Sequence, residues 1–297
     1  MPPLSTASNL RSRKIKGRIY AGLFLAATLL GVLVLVVLIA RILVVGVSHL
    51  DWQFITSYPS RFPEQAGILS ALVGTLWMMT LTMAFSVPLG IGASLYLEYY
   101  APKNRWTDIV NTNISNLAGV PSIVYGLLGL TVFVRWLSLE RSVLAGSLTM
   151  TLLILPITII AAREALLATP ASLATASYAL GANKWQTIRR VTLPFAFPGI
   201  LTGIILSMSR AIGETAPLIM IGALTYIAFI PGSSGLLHAP LDPFTALPIQ
   251  VFNWTSRPQA AFQEIAATGI IVLLVVLLTM NAVAILLRDR FQKKIQD

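Results

Sequence analysis

In the run Ser207-Met-Ser-Arg210-Ala-Ile-Gly213-Glu214-Thr-Ala-Pro217, an arginine and a glutamate stand four residues apart inside an apolar stretch long enough to cross a membrane. An ionisable side chain at the centre of a membrane helix costs about 2.5–3.5 kcal/mol even on the lenient insertion scale, so it persists where it faces a polar cavity or a partner. Gly199, Gly203, Ser207, Arg210 and Glu214 follow steps of four, four, three and four. Those steps lay them along one helical stripe, small at first and charged at its end. Pro217 cannot donate to the carbonyl of Gly213, so the hydrogen-bond ladder should open beside the charges. A carbonyl freed inside a membrane must be satisfied by protein or water. The pair therefore reads as a site for a transported ion, with an ion pair satisfying itself within the fold as the alternative. Gly213 and Pro217 read as a hinge or break, against a packing kink.

Other chemistries lack their parts. The chain has no cysteine and two histidines, His49 and His238, both expected outside the spans and away from any carboxylate cluster. Metal binding and triad chemistry have nothing to work with, so no catalytic residue, metal site or cofactor is expected. No G-x-x-x-x-G-K-[ST] loop occurs, so the chain cannot cradle nucleotide phosphates. The apolar runs show no inverted repeat with paired broken helices, the mark of many secondary transporters. The energy source must be another chain.

The elements that position these residues are membrane helices. Of 297 residues, 56% are hydrophobic and 11% charged, with a mean hydropathy of +0.79. A soluble domain averages about 25% charged residues, so the expected class is an all-α integral membrane protein. Six segments reach the ~20 apolar residues that about 30 Å of hydrocarbon demands: 20–47, 68–97, 114–136, 143–162, 197–229 and 265–287. The fifth exceeds one straight crossing and should break at Pro217. The third is weakened by Asn111, Asn113, Ser115 and Asn116 at its start.

Positive charge sorts the loops. One set of connections holds Arg11, Arg13, Lys14, Lys16 and Arg18, then Lys103 and Arg105, then Arg163, Lys184, Arg189 and Arg190, then Arg288, Arg290, Lys293 and Lys294. The other set holds only Arg61, Arg135, Arg141 and Arg257. Both termini are therefore expected in the cytoplasm. The +10 charge and pI near 10.2 follow from this topology, and nucleic acid is not an expected partner because no aromatic-interleaved basic patch occurs. The Arg11–Arg18 cluster precedes a run too long for a signal-peptide core, so no cleavable signal is expected. Arg41 lies roughly 34 Å beyond Arg18 along a helix, at the outer interface, where it can snorkel. Glu98 and Glu164 end spans on the cytoplasmic side and read as solvated end charges. The expected organisation is a basic tail over 1–18, a first span and outer loop over 19–66, and a core over 67–297.

Two loops stand out. In the cytoplasmic loop 163–190, Pro170 opens and Gly181 closes a run that reads as a short helix. Leu173, Ala176 and Leu180 repeat at helical spacing, on a face mostly of alanine that favours a protein partner over lipid headgroups. In the outer loop 231–263, five prolines discourage regular structure, yet 246–254 is apolar enough to dip back toward the bilayer. It reads as a re-entrant lip or as an interfacial anchor through Trp254.

Thr175-Ala-Ser-x-x-x-Gly181, followed after nine residues by Val191-Thr-Leu193-Pro194, resembles the "EAA" loop of ABC importer permeases. Residues 177–185, Arg210-x-x-Gly-Glu-Thr-Ala-Pro217, Pro121-Ser-Ile-Val-Tyr-Gly126 and Leu247-Pro-Ile-Gln-Val-Phe252 are similar to the PstA-type permease family of bacterial phosphate importers. The likeness runs in order and spacing from about Gly67 to the C-terminus. The first span resembles the additional N-terminal helix of such subunits. The resemblance implies a type I, MetI-like permease core in a bacterial inner membrane. It also implies a heterodimer with a second, PstC-like permease, two copies of a PstB-like ATP-binding subunit, and an extracytoplasmic PstS-like phosphate-binding protein. Phosphate is then the cargo. Leu173, Ala176, Tyr178, Leu180, Gly181 and Lys184 become the residues that couple to the ATPase. Thr175 replaces that loop's glutamate and Ser177 its second alanine, so docking by shape is expected rather than through an ion pair.

With phosphate as cargo, the planar fork of Arg210 matches the anion's oxygens, and Glu214 neutralises Arg210 when the path is empty. Ser207, Ser122 and Tyr125 join as pathway residues. Sulfate or molybdate is the alternative cargo, and a non-transporting membrane scaffold the alternative function. An intramembrane enzyme has no constellation to support it.

Overall fold

The computed structural model describes residues 6–233 and 235–296. These are helical apart from connecting turns and one isolated bridge between Ser142 and Pro243. Helix α1 spans Thr6–Gly46, 41 residues, or roughly 62 Å at 1.5 Å per residue. The basic segment expected as a tail is therefore, from Thr6 onward, an extension of the first membrane helix. Residues 1–5, and the side chains of Arg11, Lys293 and Lys294, lie outside the described residues.

A 3-10 turn (Val47–His49) and short α2 (Trp52–Thr56) lead into α3 (Leu69–Leu95), which runs on as a π turn over Tyr96–Tyr100. Along α3, Ser70, Gly74, Met78, Thr82, Ser86, Gly90 and Ser94 recur at every fourth position, and all are buried. Small residues let membrane helices approach closely. This ridge packs along α6 (Val143–Leu167), where the Ser147 hydroxyl lies 3.2 Å from the Met78 carbonyl.

The third apolar segment is not one straight crossing. Helix α4 (Arg105–Leu117) and α5 (Ser122–Gly129), the latter continued by a π turn over Leu130–Trp136, meet at a bend of 103°. Proline at 121 cannot extend α4, and the asparagines that weakened the segment sit on α4, an amphipathic helix with no buried residue. Among the described residues five helices are long and apolar enough to cross a membrane, or six if the bent pair counts as one span.

After α6 come α7 (Ala171–Ala179) and α8 (Lys184–Thr187), then a π turn (Ile188–Thr192) running into α9 (Leu193–Gly213). The expected fifth span then breaks. Its continuation is α10 (Ala216–Ile221), with Pro217 in the first turn, where its missing N–H costs nothing. The chain closes with α11 (Leu247–Thr255) and α12 (Ala260–Gln296). Helices α3, α6 and α9 form the core, with α12 against α9 and α11.

Helix α11 dips into the protein. Trp254 is fully buried, its ring 5.8 Å from that of Phe54, and it packs with Phe262 and Leu247. It is a core residue and not an interfacial anchor. With its amide turned to suit its neighbours, Gln250 donates to the Thr225 carbonyl at 2.8 Å and accepts from the Trp254 ring N–H at 3.1 Å. Trp254→Ala is expected to cost about 3–5 kcal/mol, the range for a large aromatic removed from a core. Thermal unfolding of the detergent-purified chain, compared with an exposed control such as Trp136→Ala, measures it.

Candidate permeation site and coupling loop

The break between α9 and α10 gathers most of the candidate site. Gly213 ends α9, and Glu214 is extended (φ −78°, ψ 118°), so it is not on the helical stripe that the spacing suggested. It reaches Arg210 from the linker instead: Arg210 Nε lies 3.3 Å from Glu214 Oε1. The Arg210 side chain is 45% exposed and that of Glu214 20%. Among the described residues Arg210 meets an acceptor only through Nε, which leaves the two terminal nitrogens of the fork open.

Helix α5 lies directly on this break. A Cβ placed on Gly126 would sit 2.7 Å from the Met220 Cβ and 2.8 Å from the Pro217 Cα, so only glycine admits this approach. The contact seats α5 on Pro217 and Met220 of α10, just past the Arg210–Glu214 pair in the chain. Tyr125 is buried and donates to the Leu117 carbonyl at 2.8 Å, stapling α5 to α4 across the bend. Ser122 is half-buried at the start of α5. Ser207 is 1% exposed and its hydroxyl donates back to the Gly203 carbonyl at 2.9 Å, one turn before Arg210 on the same stripe of α9. Gly199 and Gly203 pack on Ala165 and Ala161 of α6. The stripe thus serves helix packing along its small residues and emerges at Arg210.

The sequence did not single out Ser209 and Asn281. The Ser209 hydroxyl lies 2.7 Å from Asn281 Oδ1, tying α9 to α12 one residue before Arg210. A lone asparagine in the apolar run 265–287 was the available signal. His49 has one carboxylate partner that the sequence did not single out, its Nε2 lying 3.6 Å from Glu264 Oε2 with both side chains half-exposed. This is a single carboxylate, and no metal-competent cluster occurs among the described residues. Arg41 is exposed beside Thr255 and Glu264, away from the site.

The loop 163–190 carries the second group. Pro170 precedes α7, and Gly181 adopts φ +84°, the left-handed turn that ends it. Leu180 is 91% exposed, with Tyr178 and Trp185 also exposed, whereas Leu173 is half-buried and Ala176 exposed. The open surface therefore joins Tyr178, Leu180 and Trp185 to the exposed Ala176. Lys184, though exposed, reaches across to α3, donating to the Tyr99 carbonyl, with its ammonium 4.9 Å from the centre of the Tyr100 ring. Glu98 is not a solvated end charge. Its Oε2 lies 3.0 Å from Arg163 Nε, and both side chains are largely covered. Glu164 is exposed, as expected.

Residues 86–297 match the family of binding-protein-dependent transport system inner membrane components. The chain belongs to this family. As an ABC importer permease it is a multi-pass membrane subunit whose family works with a separate ATPase and a substrate-binding protein. Among its relatives, a probable ABC transporter permease, YqgI, of Bacillus subtilis is 32% identical over 96% of this chain and 99% of its own length. The phosphate transport system permease protein PstA 1 of Mycobacterium tuberculosis is 31% identical over 93% of this chain and 90% of its own. PstA of Yersinia pestis is 31% identical over 95% and 92%. A solved bacterial ABC transporter involved in import of the acidic polysaccharide alginate contains a chain with the same MetI-like fold. Its TM-score is 0.62 at 17% identity, over 93% of this permease and 99% of that chain.

Proposed function

We propose that this permease is one of two non-identical membrane subunits of an importer that carries inorganic phosphate into the cytoplasm. The carrying observation is Arg210. It is a half-exposed guanidinium at a helix break, held among the described residues by Glu214 through Nε alone, with the rest of its fork free to meet an anion. A fork of this kind suits the paired oxygens of a tetrahedral oxyanion, and the partial neutralisation by Glu214 keeps the anion from being trapped. The PstA relatives favour phosphate over sulfate or molybdate. The face formed by α5, Arg210 and α10 supplies one wall, and a sister permease supplies the other.

In this reading the heavily basic end of the helices, including α7, lies in the cytoplasm, as do both termini. Two ATPase subunits engage the complex there, one at Tyr178, Leu180 and Trp185. A phosphate-binding protein docks at the opposite end, near the loop that carries α11. Residues 67–297 form the permease core, and α1 is an addition to it. Gly213 and Pro217 flank the hinge.

Vesicles containing the assembled complex should take up radiolabelled phosphate when ATP is supplied to the ATPase side, and vesicles lacking this chain should not. Excess sulfate or molybdate should leave the uptake unchanged. Competition by either would reassign the cargo. Purification without any ATPase or second permease, together with no uptake, would reject the transporter reading.

A further inference from the structure

The cytoplasmic end of α3 is gripped from both roots of the loop that contains α7. Where α6 enters the loop, Arg163 holds Glu98 at 3.0 Å. Where the loop leaves through α8, Lys184 holds the Tyr99 carbonyl and sits over the Tyr100 ring. All three contacts fall on one five-residue π turn, Tyr96–Tyr100. Such turns inside helices recur at functional sites.

The contacts form a continuous path. The Ser177 and Thr187 hydroxyls, 2.9 Å apart, join α7 to α8. Lys184 joins α8 to α3, and Glu98 joins α3 to α6. At its far end α3 meets the loop before α11, where the Thr75 hydroxyl accepts from the Leu247 N–H at 2.8 Å. Helix α3 therefore reaches from the docking loop to the opposite face in one piece.

We infer that the π turn Tyr96–Tyr100 is where movement of α7 enters the membrane domain, with Glu98 and Lys184 as positioning residues that make α3 travel with the loop. This rests on the reading of residues 163–190 as the ATPase-docking loop. A chain of packed groups transmits motion only if its two ends move together, which can be measured. Since the chain has no cysteine, labels at Ser172→Cys, exposed on α7, and Lys103→Cys report the distance between the docking loop and the segment just past the π turn without background from this chain.

In the full complex this distance should stay narrow, and unchanged between the nucleotide-free and ATP-analogue states. In Glu98→Gln it should broaden. The same variant should raise the ATP hydrolysed per phosphate imported tenfold or more, while the exchanged pair Glu98→Arg with Arg163→Glu restores coupling. Two results would overturn the inference: a wild-type label distance that changes with nucleotide, or hydrolysis and uptake falling in parallel in Glu98→Gln. The label measurement needs no cargo, so a complex that fails to import phosphate would remove the proposed cargo and leave this test standing.

Discussion

Arg210→Gln is expected to lower phosphate uptake roughly ten- to hundredfold at equal amounts of assembled complex. The scale comes from a hydrogen bond to a charged group, about 1.5–3 kcal/mol, at about 1.4 kcal/mol per factor of ten. Glutamine keeps an unbranched stem, a polar end and good helix propensity, so α9 should remain intact while the positive fork is lost. Glu214→Gln should behave differently. With Arg210 no longer partly neutralised, the anion is held longer, so both KM and maximal rate should fall. Uptake kinetics at matched membrane levels separate the two patterns. Unimpaired uptake in both variants would reject a role in transit and leave the pair as a contact that steadies the α9–α10 break. A purely structural pair predicts less assembled complex in both, with normal uptake per complex.

The second large effect lies at the crossing of α5 and α10. Gly126→Ala should destabilise the protein by about 1–3 kcal/mol, the cost of overpacking a well-filled contact. The obstacles are the Pro217 backbone and the Met220 Cβ, none of which is the far end of a flexible side chain. Relief therefore requires moving α5 off the break, which would disturb the α9–α10 linker that carries Glu214. Thermal unfolding in detergent should fall by several degrees and uptake should drop with it. Gly92→Ala is the control. Nothing lies within 4 Å of its added Cβ, and the change should be neutral or slightly stabilising.

The parts legible in the sequence were those fixed by local composition. Apolar length located the crossings of α1, α3, α6, α9 and α12, because hydrocarbon thickness sets a minimum that few soluble helices meet. Pro170 and Gly181 bounded α7, because each residue restricts the backbone in its own way. The Arg210–Glu214 pair was legible because charge is rare in such surroundings.

What stayed hidden depends on direction or on distant partners. A hydropathy window averages residues 105–136 without revealing that the chain turns by 103° after Leu117. Prolines in 231–263 argued for irregular structure, yet Pro248 falls in the first turn of α11, where a proline fits. Trp254 fits an interface and a core equally well by composition. Glu98 and Arg163 are 65 positions apart, so nothing local distinguishes their pairing from two separate end charges. Serine at 207 is buried with its hydroxyl on the Gly203 carbonyl, which composition alone does not reveal.

Helix α1 has a consequence for how this protein meets its bilayer. Within this chain residues 12–41 are exposed, and the attachment is confined to the last turns, where Gly46 is buried and its carbonyl accepts from the Thr268 hydroxyl at 2.9 Å. The helix is moored at one end like a mast stepped in a hull. Its lean is then set by lipid thickness and by the headgroups that its basic lower third meets. A thinner or thicker membrane can tip it while the packed helices beyond Gly46 keep their arrangement.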